Sequence, residues 1–187
     1  MSDSWFPKPY ADTVARLRVI CGFLLVATFA WLSRPSRSSL AGGLAIAVLG
    51  LWLRGWAAGH LQKNMKLAES GPYSWVRNPL YLGTSLVAAG LVIAARRWEL
   101  ALIFGAVFLL VYLPVIELEE QHLRKLFPEY ADYARRVHKL LPVPPRVKSE
   151  GSFRWSVYRR NEEYQAALGL LAGASWLIYR LWNQSGG

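Results

Sequence analysis

Two prolines interrupt the apolar pattern of the chain within the stretch Gly71-Pro72-Tyr73-Ser74-Trp75-Val76-Arg77-Asn78-Pro79-Leu80-Tyr81-Leu82-Gly83. Gly71-Pro72 is a turn signal, because proline disfavours a helical conformation at the residue before it. Asn78-Pro79 predicts the start of a helix, since proline in the first helical position loses no hydrogen bond and Asn78 can cap that helix. We therefore expect a turn, a short exposed segment that carries Arg77, and a helix that enters an apolar layer at Tyr81.

The predicted helix start offers a place for an anionic group of a ligand. The first backbone N–H groups of a helix have no partner within it, and the helix dipole favours negative charge there. The Arg77 guanidinium stands next to this point in the sequence. The stretch thus predicts an anion-binding position around residues 77–79.

Five apolar blocks with few charges divide the 187-residue chain. They cover residues 14–32, 40–58, 80–95, 100–116 and 164–182. A membrane helix needs about 20 residues, and the blocks lie at or just under that length. A soluble helical bundle is the alternative, but five such blocks would leave too little polar surface for water. The sequence predicts one domain over residues 1–187, an all-α integral membrane bundle of five transmembrane helices.

Basic residues are concentrated on one side of this predicted bundle. Seventeen of the 22 lysines and arginines fall on the side that carries the N-terminus, the 59–79 loop and the 117–163 region. By the positive-inside rule that side is cytoplasmic. The net charge of +10 then reflects topology and attraction to anionic lipid, and no nucleic-acid partner is expected. Cys21 is the only cysteine, so neither a disulfide framework nor a metal site is expected.

A second polar stretch follows the fourth block, where Glu119 and Glu120 continue the helix out of the membrane. Carboxylates there are costly unless they are paired or solvated. Either the helix end is solvated, or one of the two faces a polar pocket. Residues 123–137 have the spacing of one amphipathic helix on the cytoplasmic side. Asp132 and Arg136 are four positions apart on it and can pair. Pro114 is expected to kink or loosen the end of the fourth block.

Taken together, residues 50–142 resemble the isoprenylcysteine carboxyl methyltransferase and phospholipid N-methyltransferase family of integral membrane methyltransferases. The resemblance rests on Gly71-Pro72-Tyr73, on the run from Arg77 to Gly83, and on Glu119-Glu120 followed by Leu123, Phe127, Tyr130, Tyr133 and Val137. Asn78 stands where the family usually has histidine. The resemblance implies S-adenosylmethionine as methyl donor at the cytoplasmic end of the bundle. It also implies a lipophilic small-molecule or prenylated acceptor that enters from the membrane lipid.

The same resemblance, combined with the chemistry of this donor, indicates which residues would hold it. Arg77, His60 and the N–H groups near Pro79 can take its carboxylate. Tyrosine faces can border the sulfonium, which a π face attracts. The predicted donor-binding residues are His60, Tyr73, Arg77, Asn78, Pro79, Tyr81, Gly83, Glu119 and Glu120. The predicted catalytic residues are Asp132, Arg136 and Glu120, where Asp132 and Arg136 match an acid–arginine pair of the family.

Alternatives remain for both the methyl acceptor and the class of function. A carboxylate acceptor is slightly favoured over a phospholipid amine, because Arg136 could hold a carboxylate. An amine must first lose a proton, which Glu119, Glu120 or Asp132 could receive. Membrane sterol and steroid reductases, which bind NADPH, carry a similar Arg-His-Pro-x-Tyr stretch and are the second enzyme class. A non-enzymatic membrane scaffold is the third alternative. The oligomeric state is not predicted.

Overall fold

The computed structural model of the protein describes residues 7–145 and 151–185. Within these residues the chain forms helices and no strand, so the all-α class is confirmed. The α-helices are α1 (Lys8–Leu32), α2 (Arg37–Ala58), α3 (Pro79–Ala95), α4 (Trp98–Val107), α5 (Leu113–Leu126), α6 (Tyr130–Arg136), α7 (Trp155–Arg160) and α8 (Tyr164–Ser185). A 3₁₀-helix, Gly71–Ser74, precedes α3, and a π-helix, Phe108–Tyr112, joins α4 to α5.

All five apolar blocks lie in helices, but they differ in their ability to span a membrane. Two helical stretches in the described part of the chain are long and apolar enough to do so, Arg37–Ala58 and Trp98–Leu126. Val19–Leu32 and Pro79–Ala95 are shorter apolar helices. The 22 residues of α8 are long enough but are not apolar enough by the same measure. The structure therefore supports two spans by length and composition, and the number five stays a prediction.

Helices α2 and α3 pack with their backbones in close approach. A Cβ atom at Gly43 would lie 2.4 Å from the Gly90 carbonyl oxygen, and one at Gly50 would lie 2.6 Å from the Gly83 carbonyl oxygen. Small residues permit such contacts between helices. This packing places the end of α2 beside the start of α3, where the 71–83 stretch begins its helix.

At each end of the bundle, a backbone hydrogen bond connects neighbouring segments of the chain. At the far end, which we define as residues 30–39, 94–99 and 176–184, the Arg34 N–H donates to the Ala95 carbonyl at 2.9 Å. At the site end, which holds residues 54–84, 112–143 and 153–163, the Arg77 N–H donates to the His138 carbonyl at 2.8 Å. Helices α2, α3 and α8 each run from one end to the other.

Pro114 loosens the helix between α4 and α5, as its position predicts. It has no N–H, so the carbonyl four residues earlier, that of Leu110, loses its helical partner. The Tyr10 hydroxyl of α1 donates to this carbonyl at 2.7 Å. The π-helix ends at Tyr112, two residues before the proline. This local change of helix type thus sets the direction in which the Tyr112 side chain projects from the helix.

The prediction of one amphipathic helix over residues 123–137 is wrong. Helix α5 ends at Leu126, and Phe127 is extended (φ −123°, ψ 108°) because Pro128 follows it. Helix α6 begins only at Tyr130. The apolar side chains of this segment pack together with Leu67 rather than along one straight face. The bend makes the segment a wall over the 67–73 loop.

The 71–79 segment is mostly buried, although the sequence predicts an exposed one. Pro72, Tyr73 and Val76 are buried, because residues 138–143 run alongside and exchange backbone hydrogen bonds with the segment. Helix α3 does begin at Pro79, as predicted. The Asn78 side chain does not cap it and has another partner.

Candidate functional site

A cavity of about 580 Å³ lies at the site end of the bundle. This volume is within the range of about 300–1,000 Å³ that is usual for small-molecule sites. Its walls come from the end of α2 with the loop that follows, from the 73–84 segment, from α5 and from α6. The polar and aromatic lining residues are Arg54, Gln62, Lys63, Asn64, Lys66, Tyr73, Arg77, Tyr81, Thr84, Tyr112, Glu119, His122, Phe127, Tyr130 and Tyr133.

Four of the predicted donor-binding residues line this cavity: Tyr73, Arg77, Tyr81 and Glu119. The Tyr81 hydroxyl donates to Glu119 Oε1 at 2.9 Å, which connects α3 to α5. The Tyr81 ring also meets the Tyr112 ring edge to face, with 6.3 Å between centroids. The start of α3 and the middle of α5 therefore form adjoining walls of one cavity.

Glu120 points away from this cavity and is only 2% exposed. Its Oε1 accepts a hydrogen bond from the Asn78 amide at 2.9 Å and lies 3.5 Å from Arg77 Nε. Its Oε2 lies 3.5 Å from Lys139 Nζ, and this ammonium also pairs with Glu117 at 2.5 Å. Removing one partner of such a buried charged group is costly, so the three contacts depend on one another. Glu120 thus fixes Arg77 and Asn78 in place from behind the cavity wall.

Two buried polar atoms of the cavity wall have no hydrogen-bond partner among the described residues, Arg77 Nε and the Tyr130 hydroxyl. The contact of Arg77 Nε with Glu120 lacks hydrogen-bond geometry. The Arg124 guanidinium lies over the Tyr130 ring, with 5.7 Å between its Cζ atom and the ring centroid. Burial raises the pKa of Tyr130, so its hydroxyl remains a donor. A buried donor without a partner is costly, and such atoms often mark a ligand position.

His60 does not line the cavity but supports the turn that shapes it. Its Nδ1 lies 2.9 Å from the Trp56 carbonyl oxygen. Its ring lies against Gly71, where an added Cβ would be 2.7 Å from His60 Nε2. Gly71 has φ +60°, a conformation that glycine adopts readily. The sequence prediction gave His60 a place at the donor carboxylate, and the structure places it behind the turn.

Asn78, Pro79 and Gly83 also lie outside the cavity lining. Pro79 is buried in the first turn of α3. A Cβ at Gly83 would lie 2.8 Å from the Gly50 carbonyl oxygen, so this glycine serves the contact between α2 and α3. These three residues position the cavity wall rather than form its surface.

The predicted pair of Asp132 with Arg136 is not formed. Asp132 is exposed and pairs with Arg135 at 3.4 Å, while Arg136 pairs with Glu69 at 3.3 Å. Arg136 Nε reaches only the backbone carbonyl of Asp132. Helix α6 has seven residues, and the neighbouring loop supplies a better acid for Arg136 than its own helix does. Neither side chain lines the cavity.

Sequence reasoning missed several residues of the cavity. Arg54 lies in the second apolar block and is held by Glu163 at 2.5 Å and by Thr84. An arginine within an apolar block is a signal that could have identified it. Lys63 and Lys66 form an exposed basic rim, and no spacing in their loop predicts that they face the 71–83 stretch.

The sequence model of the phospholipid methyltransferase family matches residues 17–130. The chain belongs to this phospholipid methyltransferase family. The matched region includes the cavity residues of the 71–83 stretch, Glu119 and Tyr130, and it ends before Asp132 and Arg136.

Two curated proteins are similar to this family member. The cobalt-zinc-cadmium resistance protein CzcN of Cupriavidus metallidurans is 34% identical over 117 residues, which cover 62% of this chain and 52% of that protein. The nickel-cobalt-cadmium resistance protein NccN of Alcaligenes xylosoxydans xylosoxydans is 33% identical over 124 residues, 66% of this chain and 57% of that protein. The chain therefore spans just over half the length of these curated relatives. No solved structure matches it significantly.

Proposed function

We propose that this protein is an S-adenosylmethionine-dependent membrane methyltransferase that acts on a lipophilic acceptor. Membership of the phospholipid methyltransferase family supports the reaction class. The observation that carries the proposal is a cavity lined by Glu119 and by two residues, Arg77 and Tyr130, whose buried donors make no hydrogen bond within the described structure. The names of the two relatives concern metal resistance and specify no reaction.

The lining residues fit the groups that this donor carries. Arg77 and Tyr130 can hold the carboxylate through charge-assisted hydrogen bonds, because each carries a buried donor that makes no hydrogen bond within the described structure. Glu119 can accept hydrogen bonds from the ammonium or the ribose hydroxyls. The faces of Tyr81 and Tyr112 can border the adenine or the sulfonium. Bound there, S-adenosylmethionine would supply an electrophilic methyl group.

The chain contributes positioning and exclusion of water, which are the main requirements of an in-line displacement. Glu120 holds Arg77 from behind the wall, and the Tyr81 hydrogen bond fixes the Glu119 carboxylate. The bend at Phe127 places α6 over the cavity. These contacts order the site before any ligand binds.

We propose an amine-bearing phospholipid as acceptor. The preference for a carboxylate acceptor rested on Arg136, which lies outside the cavity and pairs with Glu69. Glu119 is the only carboxylate among the described residues that line the cavity, and it can receive the proton that an ammonium must lose. Lys63 and Lys66 on the rim can hold the phosphate next to such an amine.

We also propose five membrane spans with the N-terminus and the cavity on the cytoplasmic side. Exposed tryptophans support a membrane boundary at the far end, since Trp31, Trp98 and Trp182 are 83%, 70% and 79% exposed. A single cysteine at Ser38 or at Glu129, in a Cys21→Ser background, tests the orientation. Membrane-impermeant reagent added outside the cell should label Ser38→Cys and leave Glu129→Cys unlabelled. The reverse result would overturn the orientation.

Calorimetry on the detergent-purified protein tests the proposed donor. S-adenosylmethionine should bind, and NADPH should not, which separates a methyltransferase from a membrane reductase. Radiolabelled donor with a lipid extract then tests the transfer itself. Binding of NADPH alone, or label found only in water-soluble products, would overturn the proposal.

A further inference from the structure

A second cavity, of about 640 Å³, lies at the far end of the bundle, opposite the proposed active site. It opens between the end of α1 and the last turns of α8. Its lining consists of Arg34, Trp176, Tyr179, Arg180, Asn183 and Gln184. Every one of these side chains can donate a hydrogen bond. None of these residues belongs to the cavity at the site end.

The cationic side of this cavity is held in place by backbone contacts. Arg180 Nη2 donates to the Ser33 carbonyl at 2.9 Å, and Trp176 Nε1 donates to the Ala30 carbonyl at 3.1 Å. The backbone of Arg34 is fixed to α3 through its hydrogen bond to the Ala95 carbonyl. The Arg180 guanidinium and the backbone of Arg34 are thus held at defined positions.

The positive charge of the cavity is not balanced by any acid among the residues that line it. Two guanidinium groups line it and no carboxylate does. Within the far end, in the part that the structure describes, Glu99 is the only acid; it is paired with Arg97 at 2.5 Å and also lies close enough to Arg34 for the two charges to attract each other. The Arg34 side chain has no hydrogen bond or ion pair within 7–145 and 151–185. A cavity lined by two guanidinium groups and no acid is complementary to an anion.

The surroundings of the cavity fit an amphiphile better than a free anion. Exposed Trp31 and Trp182 lie on the two helices that border it, and indole rings favour the headgroup layer of a bilayer. Exposed Val26 and Ile178 continue along α1 and α8 toward the middle of the bundle. An acyl chain can lie along these residues while a phosphate contacts the arginines.

We infer that the far-end cavity binds the phosphate of an anionic phospholipid from the leaflet opposite the proposed active site. Arg34 and Arg180 contact the phosphate, and the donors of Asn183 and Gln184 contact the glycerol headgroup. The inference does not depend on the reaction at the other end. In this arrangement, a lipid of one leaflet is a structural ligand that holds the ends of α1 and α8 together.

The test compares lipid binding in variants of two nearby arginines. Arg34→Gln removes a cation from the cavity, and Arg37→Gln removes an exposed arginine that does not line it. Detergent-purified full-length protein is titrated with phosphatidylglycerol, phosphatidylcholine or inorganic phosphate, and bound lipid is counted by native mass spectrometry. Phosphatidylglycerol should bind the wild type and Arg37→Gln equally, and Arg34→Gln about tenfold more weakly, which corresponds to losing one charge-assisted contact.

Three outcomes would overturn the inference. The first is equal binding of phosphatidylglycerol by Arg34→Gln and the wild type. The second is equal binding of phosphatidylcholine and phosphatidylglycerol, because the charge would then play no part. The third is binding of inorganic phosphate as tight as that of the lipid, which would make the cavity a site for a free anion. The melting temperature of Arg34→Gln without lipid should equal that of Arg37→Gln, so a difference in binding would not reflect misfolding.

Discussion

The Asn78 amide donates a hydrogen bond to Glu120 Oε1, 2.9 Å away, and so joins the start of α3 to the buried acid of α5. The same amide also donates to the Lys139 carbonyl at 3.2 Å. One side chain thus connects the 71–83 stretch, α5 and the segment after α6. This relationship gives Asn78 a structural role in place of the helix cap that its sequence position suggests.

Removing this amide should loosen the cavity wall. Asn78→Ala takes one donor from a carboxylate that is almost fully buried, and we expect a loss of about 1–3 kcal/mol in unfolding free energy. Asn78→His restores a donor of similar reach and should recover most of the stability. Melting curves in detergent measure both. Equal melting temperatures for Asn78→Ala and the wild type would contradict the role of this hydrogen bond.

Arg77 should dominate the affinity for the methyl donor. Arg77→Ala removes a charge-assisted contact of about 1.5–3 kcal/mol, so the dissociation constant should rise roughly tenfold to a hundredfold. Arg135→Ala is the matched control, because Arg135 is exposed, lies outside the cavity and pairs only with an exposed acid. Calorimetry with S-adenosylmethionine measures both variants. An Arg77→Ala variant that binds as tightly as Arg135→Ala would place the donor elsewhere.

Two neighbouring tyrosines should respond to the same substitution in opposite ways. The Tyr130 hydroxyl has no hydrogen-bond partner in the described structure, so Tyr130→Phe should leave stability unchanged or raise it while weakening donor binding. The Tyr133 hydroxyl donates to the Tyr73 carbonyl at 2.8 Å. Tyr133→Phe leaves that carbonyl unpaired and should cost about 1–3 kcal/mol of stability.

The pair of measurements is decisive because both variants remove one oxygen atom from the same helix. Melting temperature and donor affinity are measured for each. If Tyr130→Phe destabilises the protein as much as Tyr133→Phe does, the Tyr130 hydroxyl has a partner in the folded protein, and its assignment to the donor carboxylate fails.

The features that sequence could predict depend on neighbours in the chain. Pro79 begins α3 and Gly71 forms a left-handed turn, because proline and glycine restrict or permit the backbone locally. The break at Phe127 was equally local, and Pro128 was the available signal. The apolar spacing of residues 123–137, considered alone, does not indicate this break.

The features that sequence could not predict depend on distant partners. Arg136 pairs with Glu69, and the 71–79 segment is buried by residues 138–143. Helical spacing predicts which side chains share a face of a helix, but it does not predict which loop packs against that face. Glu120 behind the cavity wall and Glu119 within it illustrate the same limit. Adjacent residues of a helix differ in direction by about 100°, and only the packing decides which of the two acids is buried.

Stability should fall at alkaline pH because of the buried tyrosines. Burial raises the pKa of Tyr73, Tyr130 and Tyr133, and the Glu119 charge adds to this effect at Tyr73. The folded state keeps these protons while the unfolded state loses them above about pH 10, so the stabilisation is complete below that pH and decreases above it. Tyr133→Phe should show a smaller decrease than Tyr179→Phe, whose tyrosine is exposed. Melting curves between about pH 9 and pH 11, one unit on either side of the pKa of a free tyrosine, measure this decrease. Equal slopes for the two variants would contradict the role of burial.

The pH dependence of methyl transfer should identify the acceptor. An amine with a pKa near about 10 gains reactive neutral form as the pH rises, so the rate should increase from about pH 6 to pH 8. A carboxylate with a pKa near about 4 is charged throughout this window, and its rate would stay flat. For an amine acceptor, Glu119→Gln should reduce the rate by about 10²–10⁴ if Glu119 receives the proton, because that is the usual contribution of a general base. Arg136→Ala is the companion variant, and it should leave the rate and its pH dependence unchanged, since Arg136 pairs with Glu69 outside the cavity. A flat profile together with a large loss in Arg136→Ala would instead assign a carboxylate acceptor held by Arg136, in a conformation where its pair with Glu69 is broken.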